Sequence, residues 1–203
     1  TTPTIGSAMQ QFKFAYVSCQ HYERGYYPAY RDLVTQDPQF IVHLGDYIYE
    51  NDPNRFTVRR HEGPEPVTLE QYRARYSVYR MDADLQNAHA HTTWAFTWDD
   101  HEVDNNYAND QSQDFDDPAV FLTRRAAAYQ AYYEMMPLRA SARPQGASLR
   151  LYQRIVFGDL VAFNILDDRQ YRSDHPCDWS GDGPNVIPEL CSELMDPSRT
   201  MLG

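Results

Sequence analysis

The sequence predicts an α/β fold, and three observations predict it. Short apolar runs of strand character alternate with helical stretches, the connections between them are short, and the apolar runs end on a polar residue. Residues 1–11 are small and polar and read as a linker, leaving one domain over 12–203. Residues 12–18 (FKFAYVS) read as a buried strand. Residues 26–36 follow as a helix with Tyr26, Tyr30, Leu33 and Val34 near one face, stopped by Asp37-Pro38. Residues 40–44 are a second strand, followed at once by Gly45-Asp46. Strand, helix and strand with short links predict a right-handed crossover and a parallel sheet. After a loop over 51–66, residues 68–80 begin with a Thr cap and carry Leu69, Tyr72, Tyr76 and Tyr79 at helical spacing. Helical character continues over 84–91. A third strand over 93–98 runs into Asp99-Asp100-His101-Glu102. An Asn/Asp-rich loop over 104–117 precedes Pro118, which opens a helix to about Met136. Runs 149–156 and 160–166 flank Gly158-Asp159 as a hairpin.

The 203 residues carry 18 Lys and Arg against 29 Asp and Glu, a formal net charge of -11. That balance excludes a nucleic-acid duplex as the main partner, because phosphate neutralisation needs surplus cations. It also disfavours docking on anionic membranes. No apolar run reaches the length of a membrane span. Cys177 and Cys191 bracket a Pro/Gly/Asp-rich tail and read as a disulfide in an oxidising compartment, with two free thiols as the alternative. Cys19 is left over, at a strand end.

The informative pattern is positional. The three strands and the second hairpin arm hand over, at their carboxy-terminal ends, to Cys19, Asp46, Asp100 and Asp168. In open α/β sheets ligands bind at that edge. Collected there, such groups repel one another unless cations sit among them, so a metal is the economical expectation. Asp46 is the candidate bridge, with Tyr49 three residues on, and Asp100 holds a second metal. Tyr49, Asp46 and Cys19 together suit ferric iron, whereas zinc lacks its usual His- or Cys-rich set. His101 is placed to donate a proton to a leaving oxygen, and Arg169 to bind a phosphate oxygen. Asp99 and Glu102 are candidates for orienting these groups. Each has a plainer reading: GD is common in turns, acidic clusters are usually solvated, and Cys19 can be a small apolar residue. His21, His43, His61, His89, His91 and His175 read as packed or surface histidines. Asp104, Asn105 and Asn106 read as a turn before they read as calcium ligands.

Four segments, FAYVSCQHYERGYYPAY, FIVHLGDYIYE, YRARYSVYRMDADLQNAHAHTTWAFTWDDHEVDNNYA and ILDDRQYRSD, together resemble the alkaline phosphatase D family of calcineurin-like metallophosphoesterases. The resemblance implies a four-layer α/β/β/α sandwich of which this chain is the amino-terminal half. It implies ferric iron plus calcium, with manganese or another divalent ion possible at the second site. Asp46 would bridge, Tyr49 and Cys19 would bind iron, Asp100 would bind the second metal, and His101 would donate a proton or stabilise the transition state. Two departures stand out: Cys19 replaces an aspartate of related phosphatases, and Asp100-His101-Glu102 has Asp where they carry Asn. The family's further Asp and His ligands lie downstream, so a carboxy-terminal segment or second chain is the expected partner. The implied activity is phosphoester hydrolysis by a secreted, periplasmic or cell-surface enzyme, acting on a small diester, a nucleotide or a phospholipid. The alternatives are a phospholipase D-like enzyme and a non-catalytic calcium module built on loops 99–117 and 174–182.

Overall fold

Three short strands, each rich in β-branched or aromatic residues, pair in parallel at the centre of the computed structural model, which describes residues 5–51, 57–178 and 188–202. They are β1 (Phe14–Val17), β2 (Phe40–His43) and β3 (Thr93–Phe96), in spatial order β1-β2-β3. Register sets Val17 beside His43 and His43 beside Phe96, so the three strand ends are level. Every residue of β2 is buried, as a central strand requires. The expectation for the first strand is corrected here. Its Phe14 and Tyr16 are exposed, because β1 is an edge strand covered mainly on its Ala15 and Val17 face.

Helices cover one face. α1 (Pro28–Thr35) joins β1 to β2, and α2 (Leu69–Tyr79) and α3 (Ala83–His91) join β2 to β3. The long α4 (Pro118–Met135) follows, and it packs on α2 while α1 packs on α3. Their starts are written locally: Thr68 and Gln71 form a reciprocal capping box on α2, Asp82 caps α3, and Asp117 with Pro118 opens α4. Tyr72, Tyr76, Tyr79, Phe121, Tyr129 and Tyr132 are fully buried in one cluster with Ile41 and Phe96 of the sheet.

The opposite face carries the antiparallel hairpin β4 (Gln153–Phe157) and β5 (Val161–Ile165). Phe157 and Ile165 pack onto Phe40, Val42 and Ala95, with Phe12, Ile155 and Phe163 at the margin. Alternation decides the layering: in β2, Phe40 and Val42 face the hairpin while Ile41 faces the helices. The result is helices, parallel sheet and second sheet, the amino-terminal half of the expected α/β sandwich. Residues 5–9 lie against the hairpin turn, where Gly6 N–H donates to Gly158 O at 3.2 Å. Gly158 has φ +54°, and a Cβ there would lie 2.5 Å from Ser7 O. The hairpin strands are shorter than expected at their outer ends. Cys177 and Cys191 are disulfide-bonded, and Cys19 is free. The expectations for residues 52–56 of the loop over 51–66, for residues 1–4 of the linker, and for residues 179–182 of the calcium loop lie outside the described residues.

Candidate metal centre

The ends of β1, β2 and β3 are drawn together by backbone bonds. Cys19 N–H donates to Gly45 O and Gln20 N–H to Asp46 O, both at 3.1 Å. Gly45, at φ +114°, lets the end of β2 press against the start of the loop after β3. A Cβ there would stand 2.3 Å from Asp99 N and 2.6 Å from the Trp98 carbonyl carbon. Cys19 and Asp46 are themselves left-handed, at φ 56° and 57°, an unfavourable conformation for non-glycine residues that concentrates at functional sites. The hairpin joins the same edge, since Trp98 Nε1 donates to Asp167 Oδ1 at 3.0 Å and Thr97 Oγ1 to Leu166 O at 2.7 Å.

Three of the expected residues converge most closely. Asp46, Asp100 and His101 each present a ligand atom, and these atoms lie within 4.8 Å of one another. Tyr49 Oη donates to Asp46 Oδ2 at 2.8 Å, while Asp46 Oδ1 is buried without a hydrogen-bond partner. Burial raises Asp46 to about 6. Burial also raises Tyr49, aided by its bond to Asp46, so the phenol keeps its proton while no cation competes for it. Cys19 lies beside Asp46 but outside the closest trio; burial chiefly raises its thiol, and the Asp46 charge adds to the effect. For Asp100, burial pushes upward, but Arg169, His101 and the Asn106 N–H at 2.7 Å together hold it below the usual carboxylate range. Asp168, half-buried, stands on the same edge with Oδ1 unpartnered, raised to about 6 chiefly by burial.

The surrounding groups hold the centre. Glu102 is buried and accepts from Tyr47 N–H at 2.5 Å and Asp99 N–H at 2.9 Å, tying the β2 and β3 loops together. Arg169 is nearly buried, with Nε on Asp99 Oδ1 at 2.6 Å and Nη2 3.6 Å from Asp100 Oδ1. Asp104 pairs with Arg124 at 3.1 Å and accepts from Gln113 N–H, and Asn105 bonds Gln113, as turn residues do.

Glu50 is the residue that sequence reasoning passed over. It is buried, with Oε2 2.7 Å from His101 Nδ1 and Oε1 accepting from Asn105 N–H at 2.7 Å. Burial alone would lower His101; the bond and charge of Glu50, then Asp100 and Asp46, outweigh it and raise the ring to about 9. The Tyr49 ring lies 4.1 Å from that of His101 and 4.2 Å from that of His21. The only local signal for Glu50 was its place four residues after Asp46.

Fold and site thus define an α/β protein with a clustered acid–histidine centre at the carboxy-terminal edge of its parallel strands, able to hold a metal ion. A family model described as PhoD-like phosphatase matches residues 14–203, and the chain belongs to that family. It is 47% identical over 208 residues to alkaline phosphatase D of Bacillus subtilis strain 168, covering 100% of this chain and 35% of that protein. A solved chain titled "Structure of PhoD" superposes with a TM-score of 0.91 at 46% identity, covering 100% of this chain and 39% of that one. The chain therefore spans little more than a third of the relatives it matches.

Proposed function

We propose that this chain supplies the amino-terminal half of the catalytic domain of a metal-dependent phosphoester hydrolase of the phosphodiesterase and alkaline phosphatase D kind, secreted, periplasmic or at the cell surface. The observation that carries the reading is the meeting of Asp46, Asp100 and His101, with a buried Asp46 oxygen left unpartnered, in a PhoD-like phosphatase. An orphaned, desolvated carboxylate oxygen is costly unless a cation takes it. Asp46, Tyr49 and Cys19 would hold ferric iron, and Asp46 with Asp100 a calcium or other divalent ion. Bound there, the ions supply Lewis-acid charge that acidifies water and neutralises phosphate oxygens.

The chain's own residues do the rest. His101, held by Glu50 through Nδ1, turns Nε2 toward the substrate side and donates a proton to the leaving oxygen. Arg169 contacts the phosphate by exchanging Asp99 for a substrate oxygen on its planar fork. A carboxy-terminal segment completes the site and the substrate pocket.

Elemental analysis and bis-p-nitrophenyl phosphate turnover of the full-length protein test this reading. Wild type is expected to carry iron with visible charge-transfer absorption. Asp46→Asn is expected to lose the metal and nearly all turnover, whereas His101→Ala keeps the metal and loses about 10²–10⁴ in rate. Equal losses in the two variants, or a metal-free wild type with full activity, overturn it.

A further inference from the structure

Away from the metal centre, the charge pattern of the chain reverses. Between Glu134 and Asp159 the sequence holds four of its 18 basic residues, Arg139, Arg143, Arg150 and Arg154, and none of its 29 acidic ones. All four are exposed, and among the described residues none is ion-paired with a carboxylate. Three of them, Arg139, Arg150 and Arg154, line a single groove of about 260 Å³ together with Ser141, Tyr152 and Gln153. The groove shares no lining residue with the metal centre. It lies along β4, a strand whose only partner among the described residues is β5.

We propose that this groove is a binding site for a phosphate-class oxyanion. Three guanidinium groups around one concavity repel one another, and a concave wall focuses their field, so an anion entering gains from all three at once. In a chain of net charge -11, these arginines have no carboxylate ion-pair partner among the described residues, so an external anion can take up their field. Planar forks match oxygens of a tetrahedral oxyanion two at a time, and a dianion uses several forks where one carboxylate uses one. Ser141, Tyr152 and Gln153 add neutral donors. The volume admits a phosphate with a small organic substituent and is too small for a folded acidic peptide. The Arg150 guanidinium sits 5.0 Å from the Tyr152 ring centroid, and Tyr171 meets Tyr152 edge-on at 6.2 Å. A ring-bearing phosphomonoester therefore has a face to lie against. This proposal stands independently of the hydrolase reading.

The test is equilibrium dialysis of inorganic phosphate, and separately of phenyl phosphate, against full-length protein stripped of metal with a chelator. Stripping removes any metal that would hold phosphate at the metal centre, and the groove variants separate binding that Arg169 and His101 retain there from binding in the groove. Wild type is expected to bind one phosphate. Arg150→Gln/Arg154→Gln is expected to bind about tenfold or more weakly at unchanged circular dichroism. Arg143→Gln, which lies outside the groove, is expected to bind as wild type does. Tighter binding of phenyl phosphate supports the site with an organic phosphoester as its occupant; equal binding supports it with free phosphate. A wild type that binds neither, a double variant that binds as wild type, or an equal loss in Arg143→Gln overturns it.

Discussion

Glu50 and Gly45 show how single residues set this centre. Gly45 removes the one side chain that would hold the β2 and β3 loops apart, and so lets Asp46 reach Asp100. Glu50 works at longer range, 51 residues from His101 in sequence, and occupies both its oxygens on the loop that carries Asp100. Such outer carboxylates orient a reacting histidine and fix which nitrogen bears the proton. Replacing Glu50 with Gln keeps the shape but sets an amide N–H against a donor. Glu50→Gln in the full-length protein is therefore expected to lower kcat about 10–100-fold. KM for a small diester and the metal content should stay unchanged, as read by steady-state kinetics and elemental analysis. Neither residue's reach is local, and only Gly45 announced itself, through its place before Asp46.

The helices are the most self-contained elements. α2 begins where Thr68 Oγ1 accepts from Gln71 N–H and Gln71 Oε1 accepts from Thr68 N–H. Its inward face is Tyr72, Tyr76 and Tyr79, spaced as the sequence indicates and fully buried. Thr68→Ala removes half of the capping box and is expected to cost about 1 kcal/mol, seen as a fall of a few degrees in melting temperature with turnover retained. Strands behave differently. FAYV and FIVH carry similar propensities, yet one is an edge and the other wholly buried. The difference comes from what pairs on either side, which no four-residue segment encodes.

At the scale of the molecule, the two apolar clusters on opposite faces of the sheet fix the order of layers, and they bury polar groups that must stay uncharged. His43 is one: fully buried between the Tyr47 and Phe96 rings, it accepts from Gly45 N–H at 3.2 Å. Burial, with nearby His89 adding, lowers it to about 3. Unfolded, it titrates near 6.5, so below that pH the unfolded chain takes up a proton that the folded one refuses. The stability His43 contributes is thus complete above about pH 6.5 and drains away as pH falls toward 3, at about 1.4 kcal/mol per unit. Asn at this position can still accept from Gly45 N–H but does not titrate. The destabilisation caused by His43→Asn is expected to shrink by about 2–3 kcal/mol between pH 7 and pH 4.5, measured by urea unfolding at both.

The sequence alone determined the order of elements, the starts of α2 and α4 and the polar residues that end each strand. Those features depend on neighbours within a few positions: caps, periodicities of 2 and 3.6, and breakers. Tertiary structure decided which of the polar ends meet. It put Asp46, Asp100 and His101 together, set Cys19 just outside them, turned the Arg169 fork onto Asp99, and brought Glu50 to His101. It also gathered three arginines from two separate stretches into one groove. The contacts of the metal centre join residues tens of positions apart, and only the packing of helices and hairpin on the two faces of the sheet specifies them.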